Sequence, residues 1–191
     1  MIVAVVEGHG DAEAVPVLIR KLLLERGAFA DVKPHRVHRQ KVTKPGEFEK
    51  AVQFASMHEG CTAILVVLDA DDDCPAVTGP QLAQRAVAAV GHIPVGVVLA
   101  NREFEAWILA GVIGVRGQRG IRSDAEPPPD PDSVGSPKAA LEALMDPRTY
   151  LETDDQAAFA ERLDLENARL NSRSFRKFEG EVLRLSGQSA S

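Results

Sequence analysis

Three short apolar runs separate longer amphipathic segments in the first half of the chain. The runs cover residues 2–6, 62–68 and 93–99, and each has the length of a strand that is buried on both faces. Between the first two runs, residues 11–26 place apolar side chains at helical spacing. Strands that alternate with helices are typical of a mainly parallel sheet flanked by helices, so we predict an α/β fold.

Weaker patterns predict the remaining elements. Residues 32–39 alternate apolar and polar side chains, which is typical of an edge strand. Residues 123–137 contain PPPDPD, and so many prolines favour a long loop. Apolar periodicity predicts further helices at 47–59, 80–90, 101–110, 137–145, 155–167 and 174–186.

These patterns divide the chain into three parts. Residues 1–122 would form an α/β domain, residues 123–137 a proline-rich loop, and residues 138–191 a helical extension that packs on the same domain. A chain of 191 residues with 45% hydrophobic and 26% charged residues is typical of a soluble globular protein with a sizeable core.

The net charge and the number of cysteines limit the classes of function that the chain can have. The net charge of −6 gives no overall attraction to nucleic acid, so binding would need a local basic patch or bound cations. The two cysteines, Cys61 and Cys74, are too few for a disulfide framework or a zinc site. No apolar stretch approaches the length of about 18 residues that a membrane span needs. With no signal peptide pattern, we expect a cytoplasmic protein with reduced thiols.

Acidic residues follow each of the three buried strands. The first strand leads to Glu7 and Asp11, the second to the segment DADDD at 69–73, and the third to Glu103 and Glu105. Because the carboxyl ends of parallel strands lie at one edge of a sheet, we expect these carboxylates to converge if the strands are neighbours. Gathered carboxylates repel unless they are protonated or neutralised, and Mg²⁺ and Mn²⁺ prefer oxygen ligands. The pattern therefore predicts a Mg²⁺ or Mn²⁺ site.

Each acidic segment also has a plainer interpretation. Glu7 before Gly8 is typical of a turn, and a run of acids is typical of a solvated loop. The 69–73 segment resembles the start of a calcium loop, but Cys74 and Pro80 stand where that loop needs glycine and glutamate.

The geometry of the DADDD segment is open to two interpretations. If the strand continues beyond Asp69, then Asp69, Asp71 and Asp73 share one face. If the chain turns after Asp69, Asp71 projects from a loop.

Several ordered motifs resemble the toprim fold, the catalytic domain of topoisomerases and primases. They are VEGHGDAEAVP at 6–16, LDADDDCP at 68–75 and NREFEAW at 101–107. The chain is more closely similar to the toprim-related group known as domain-of-unknown-function family 4276. That similarity extends to PKAALE at 137–142, YLETDDQ at 150–156 and SFRKFE at 174–179, and so covers nearly the whole chain.

The toprim resemblance implies a role for each acid. Glu7 would act as general acid/base or metal ligand, and Asp69 and Asp71 would be the pair that binds Mg²⁺. The implied catalytic residues are Glu7, Asp69, Asp71 and Glu105. The implied metal ligands are Glu7, Asp11, Asp69, Asp71, Asp73 and Glu103, with Glu103 and Glu105 as rivals for one position.

Basic residues are the candidates for contacts with nucleic acid. We predict these contacts at Arg116, Arg119, Arg122, Lys138, Arg176 and Lys177. A second basic segment on the edge strand comprises His35, Arg36, His38, Arg39 and Lys41. Lys138 and Lys177 could reach the acidic cluster, although pairing with structural partners is equally compatible with their positions. The glycine-rich segment that carries the three arginines can also be a solvated surface loop.

Together these features predict a toprim-like nuclease, a hydrolase that uses Mg²⁺ or Mn²⁺ to cleave a phosphodiester. The resemblance implies a nucleic-acid substrate, with DNA favoured over RNA, and an ATPase partner in phage defence or DNA repair. The sequence lacks a DNA-gate region and a primase zinc motif, which argues against topoisomerase and primase activity. Two alternatives stay open: a non-catalytic interaction subunit of an ATPase-containing complex, and metal-dependent phosphoryl transfer on a small nucleotide.

Overall fold

The computed structural model describes residues 1–38, 44 and 46–188 of the chain. These residues contain the strands β1 (Ile2–Val6), β2 (Val32–Arg36), β3 (Ala63–Asp69) and β4 (Val95–Ala100). All of their pairings are parallel, and the strand order is β2-β1-β3-β4. The prediction of a parallel α/β sheet flanked by helices, with β2 at an edge, is therefore confirmed.

Helices follow the strands and then fill the C-terminal part of the chain. The described α-helices are α1 (His9–Glu25), α2 (Glu47–Ser56), α3 (Pro75–Val90), α4 (Glu105–Ala110), α5 (Pro137–Glu142), α6 (Glu152–Arg162), α7 (Leu165–Asn171) and α8 (Arg173–Leu185). Two short 3₁₀ helices cover Val112–Val115 and Pro131–Ser133. None of the described helices is long and apolar enough to cross a membrane.

The sheet has a hydrophobic core on each face, because successive side chains of a strand point to opposite sides. Val3 and Val5 belong to the core that includes Phe48 of α2 and Ala86 of α3. Alternate β1 residues belong to the second core, which includes the inner sides of α1 and of the helices from α4 to α8. The helical C-terminal part therefore shares one core with α1 and the sheet.

The strand order reverses between β1 and β3. The chain leaves β1 towards β2 on one side and then crosses back to place β3 on the other side of β1. Val5 pairs with Val66, and Asp69 pairs with Ala100, so the ends of β1, β3 and β4 lie at the same edge. Ligand sites in open parallel sheets form at this kind of reversal in strand order, outside the carboxyl ends of the strands.

The prediction of a single helix over 155–167 is wrong. The chain forms α6 and α7 instead, with a break at Leu163 and Asp164. The Asp164 side chain accepts a hydrogen bond from the backbone N of Asn167 and so begins the second helix. The break allows the backbone at Arg162 to lie close to Gly114. A Cβ at Gly114 would lie 2.1 Å from the carbonyl oxygen of Arg162.

Other predicted helix boundaries shift by three to five residues. α3 begins at Pro75 rather than Pro80, and the helix predicted over 101–110 begins only at Glu105. The helix predicted over 47–59 ends at Ser56, and the one predicted over 137–145 ends at Glu142.

Candidate functional site

The first and second acidic segments meet at the carboxyl edge of the sheet. Glu7 directly follows β1, and Asp69 is the last residue of its neighbour β3. Burial raises the pKa of Asp69 well above its usual value, and the negative charges of Asp11, Glu105 and Glu7 raise it further. Asp11, Glu105 and Glu7, three other predicted site residues, therefore lie near enough to Asp69 for their charges to act on it.

A loop from the third acidic segment holds Asp69 in place. Oδ1 of Asp69 accepts a 2.9 Å hydrogen bond from the backbone N of Phe104. The Phe104 ring packs against Trp107, with 5.2 Å between the ring centroids, and both residues are buried. The carboxylate is thus anchored to the core through the residues that precede and begin α4.

Asp11 is held from two sides at the beginning of α1. Its Oδ2 accepts a 2.9 Å hydrogen bond from the backbone N of Gly8, and its Oδ1 accepts a 3.1 Å bond from Nε2 of Gln156. Burial raises the pKa of Asp11, although both hydrogen bonds act in the opposite direction. Gln156 is buried, and its Oε1 has no hydrogen-bond partner within the described part of the chain.

Gly10 allows α6 to approach the beginning of α1. A Cβ at this position would lie 2.0 Å from Oε1 of Gln156 and 2.8 Å from the carbonyl oxygen of Glu152. Only glycine leaves room for both groups, so Gly10 permits the contact between Gln156 and Asp11.

Glu105 is a buried acid with a single tyrosine partner. Its Oε1 accepts a 2.8 Å hydrogen bond from the hydroxyl of Tyr150, and the two residues are 4% and 5% exposed. Burial raises the pKa of Glu105 to about 7, while the Tyr150 hydrogen bond lowers it and the charges of Glu152 and Glu103 raise it. Burial and the Glu105 charge raise the pKa of the Tyr150 hydroxyl, so the tyrosine stays protonated and donates.

Lys138 lies at the rim of this cluster. Its backbone N donates a 2.9 Å hydrogen bond to Oε2 of Glu103, and its ammonium group pairs with Oε1 of Glu152. This pairing raises the pKa of Lys138, and the charges of Glu105 and Glu103 add to the effect. Of the two lysines predicted to reach the acids, Lys138 therefore does so.

The chain turns immediately after Asp69, which excludes a continuing strand with three aspartates on one face. Asp71 has a φ of 47°, and its backbone N donates a 2.9 Å hydrogen bond to the carbonyl oxygen of Arg102. Asp71, Asp72 and Asp73 are exposed in this turn, and Asp72 pairs with the Arg102 side chain at 3.2 Å. Among the described residues, no three His, Cys, Asp or Glu side chains are already arranged as ligands of one ion.

The three arginines of the glycine-rich segment all have partners inside the molecule. Arg119 donates a 2.7 Å hydrogen bond to the fully buried carboxylate of Asp155, which Arg148 also contacts.

The other two arginines have more exposed partners. Arg116 contacts the Ala125 carbonyl oxygen at 2.6 Å and pairs with Glu126. Arg122 pairs with Asp124 at 3.3 Å and also contacts the Ala143 carbonyl oxygen.

The remaining predicted cations are distributed elsewhere. Arg176 donates to backbone carbonyl groups at the end of α7, and Lys177 pairs with Glu181 at 2.6 Å on α8. A Cβ at Gly96 would lie 2.7 Å from Oε2 of Glu181, so the Lys177 pair lies near the beginning of β4, whereas the acids lie at its end. On the edge strand, His35 and Arg36 belong to β2, and Arg39 and Lys41 lie outside the described residues.

Sequence reasoning missed Tyr150, Glu152 and Gln156 as parts of the site. Their only signal was the segment YLETDDQ, which resembles the family pattern but follows no strand. No periodicity argument connects this segment to β1 or β3, because its contacts with Glu105 and Asp11 depend on tertiary packing.

Comparisons with known proteins give a family but no characterised relative. Neither the curated proteins nor the solved structures include a match to this chain. The family model described as Domain of unknown function (DUF4276) matches residues 6–183, a span that contains both the strand-end acids and their C-terminal partners. The predicted family resemblance is confirmed, and the chain belongs to the DUF4276 family.

Proposed function

We propose that this protein is a Mg²⁺- or Mn²⁺-dependent nuclease that hydrolyses a phosphodiester bond. The observation behind the proposal is the raised pKa of Asp69, to which the charges of Asp11, Glu105 and Glu7 all contribute. Carboxylates that repel one another at the end of two adjacent strands cost free energy, and a divalent cation would offset that cost.

The donor atoms of the cluster fit a hard divalent cation. They are carboxylate oxygens, the ligand type that Mg²⁺ and Mn²⁺ prefer over nitrogen and sulfur. Asp69, Asp11 and Glu7 would hold the ion, with Asp71 reaching it from the exposed turn. A bound ion would supply Lewis acidity for the phosphoryl oxygen and a more acidic water.

Glu105 is suited to proton transfer. A pKa of about 7 allows the carboxyl group to exist in both protonation states near neutral pH, which favours general acid–base catalysis. The hydrogen bond from Tyr150 fixes one carboxylate oxygen of Glu105. Lys138, at the rim, would attract the phosphate group of a substrate.

The substrate would be nucleic acid, with DNA favoured over RNA, and the setting would be a cytoplasmic complex with an ATPase in phage defence or DNA repair. These parts of the proposal follow from the toprim resemblance of the sequence motifs. An ATPase partner could also supply the basic surface that this acidic chain lacks overall, since its net charge is −6.

One observation favours the non-catalytic alternative. Every residue predicted to contact nucleic acid already has an intramolecular hydrogen-bond or ion-pair partner. These residues are Arg116, Arg119, Arg122, Lys138, Arg176 and Lys177. Phosphate binding would compete with these contacts. In this alternative the protein is an interaction subunit, and its acids bind metal or partner arginines without chemistry.

A cleavage assay with matched aspartate variants tests the proposal. Purified protein, alone and with an ATPase encoded beside it, is incubated with single- and double-stranded DNA and RNA in Mg²⁺ or Mn²⁺. We expect cleavage by the wild type and by Asp72→Asn, whose side chain is 94% exposed, and none by Asp69→Asn or Asp71→Asn. Cleavage that persists in Asp69→Asn, or that is absent from the wild type under every condition, contradicts the nuclease assignment.

A further inference from the structure

Two histidines from separate segments face each other beside the edge strand. His35 lies on β2, and His58 lies in the turn after α2. Nδ1 of His35 and Nε2 of His58 are 3.2 Å apart, and the rings are nearly perpendicular, with an interplanar angle of 75°. The two imidazoles therefore meet through one nitrogen atom each.

Both histidines are partly buried. The neutral imidazole is the form of histidine that binds metal ions.

The distance between the two nitrogens matches the spacing of ligands on one metal ion. Zn–N bonds are about 2.0–2.1 Å long, so two nitrogens on a tetrahedral ion lie about 3.3 Å apart, and two at a right angle lie about 2.9 Å apart. The observed 3.2 Å falls between these values. An ion could replace the hydrogen bond once both rings reorient so that each facing nitrogen directs a lone pair at it.

We propose that His35 and His58 form a second cation site, one that takes an imidazole-preferring metal ion such as Zn²⁺, Ni²⁺ or Cu²⁺. Within the described residues no third His, Cys, Asp or Glu side chain completes the site, so water would occupy the remaining positions. Because the two ligands come from β2 and from the turn after α2, the ion would connect the edge strand to that turn and stabilise this edge of the sheet.

This site is chemically distinct from the carboxylate cluster. Imidazole nitrogen suits Zn²⁺, Ni²⁺ and Cu²⁺, whereas carboxylate oxygen suits Mg²⁺ and Mn²⁺. The two sites also use different strands, since His35 belongs to the edge strand β2 and the acids lie at or after the ends of β1, β3 and β4. The inference is independent of the proposed nuclease function.

Calorimetric titration of the full chain with Zn²⁺ at neutral pH tests the site. We expect the affinity to fall at least about tenfold in His58→Asn, because even changes to residues behind a metal ligand cost that much. His35→Gln should have the same effect and guards against a folding defect in the first variant. His92→Asn removes an exposed histidine after α3 and is the matched control with unchanged affinity.

Two further measurements identify the ligands. Electron paramagnetic resonance of the Cu²⁺-loaded wild type should show coupling to two nitrogens, and the His58→Asn spectrum should show one. Asp69→Asn should retain Zn²⁺ binding, because it alters only the carboxylate cluster. Unchanged affinity in both histidine variants, absence of Zn²⁺ binding by the wild type, or loss of binding in Asp69→Asn would each overturn the inference.

Discussion

The hydroxyl of Tyr150 donates a 2.8 Å hydrogen bond to Oε1 of Glu105, and both residues are buried in the core that α1 shares with the C-terminal helices. The bond connects an acid that follows β4 with a residue 45 positions later in the chain. Tyr150 is the chain's single tyrosine, so its spectroscopic signals report on this contact alone.

Replacing Tyr150 by Phe should raise the pKa of Glu105 above its value of about 7, because the Tyr150 hydrogen bond stabilises the ionised carboxylate. The ring keeps its place, so the stacking on Phe159 is preserved. Titration of the ¹³C-labelled Glu105 carboxyl by NMR measures the change. A pKa that stays the same or falls in Tyr150→Phe would show that the hydroxyl does not act on Glu105 in this way.

Glu105 should also make folding stability depend on pH. Its pKa is about 7 in the folded protein against a usual 4.5, so folding penalises the ionised form. The penalty is absent below pH 4.5 and grows as the pH rises to about 7, where it reaches on the order of 3 kcal/mol. Urea unfolding between pH 4.5 and 8 should show a smaller loss of stability with rising pH in Glu105→Gln than in the wild type. Equal slopes for the two proteins would contradict the raised pKa.

Replacing Asp69 by Asn should increase the free energy of unfolding in metal-free buffer at neutral pH. The pKa of Asp69 is raised in the folded protein, so folding penalises the ionised carboxylate, and this penalty grows as the pH rises from the usual pKa of 3.8 towards the raised one. Asparagine keeps an oxygen that can accept from the backbone N of Phe104. Thermal unfolding with chelator measures the effect, and Asp72→Asn in the exposed turn is the control with a change within about 0.5 kcal/mol. Destabilisation by Asp69→Asn would argue that the cluster is already neutralised.

Replacing Gly10 by Ala should destabilise the protein by about 1–3 kcal/mol, because the new methyl group overlaps Oε1 of Gln156 and the Glu152 carbonyl oxygen. The matched control is Gly180→Ala in the interior of α8, where an added Cβ meets nothing within 4 Å. That variant should be stabilised by up to about 1 kcal/mol, since alanine is the better helix former. Chemical unfolding of both variants tests the pair, and equal effects would contradict the close approach of α6.

Replacing Arg119 by Ala should lower stability by about 1–3 kcal/mol, because it removes one of two guanidinium partners of the fully buried Asp155. Arg122→Ala, which alters an exposed ion pair, should change stability by no more than about 0.5 kcal/mol. Unfolding measurements compare the two variants, with DNA binding measured alongside. An Arg119 variant with normal stability and weakened DNA binding would show that its main role is the one predicted from the sequence.

Local sequence patterns predicted the three strands that are buried on both faces. The apolar runs at 2–6, 62–68 and 93–99 correspond to β1, β3 and β4, since uninterrupted apolar side chains are needed wherever both faces of a strand are covered. The convergence of Glu7 and Asp69 follows from the strand order, which places β1 beside β3. The sequence patterns are compatible with this strand order but do not determine it.

The features that sequence patterns missed depend on distant contacts. The turn at Asp71 is fixed by a hydrogen bond from its backbone N to the carbonyl oxygen of Arg102. At the break between α6 and α7, Leu163 and Leu165 are buried on either side of Asp164, so the apolar sequence pattern continues through the break. Tyr150 and Gln156 approach the acids only through the packing of α6 on α1. No window of neighbouring residues contains that information.

The contact between Asp11 and Gln156 spans 145 positions of the chain, and this separation has a consequence during synthesis. A ribosome releases the strand-end acids first, and Tyr150 and Gln156 follow on the order of ten seconds later at ordinary elongation rates. Until then Asp11 lacks the hydrogen bond from Gln156, and Glu105 lacks the one from Tyr150. The carboxylate cluster therefore acquires all of its hydrogen-bond partners only after the residues of α6 have been synthesised.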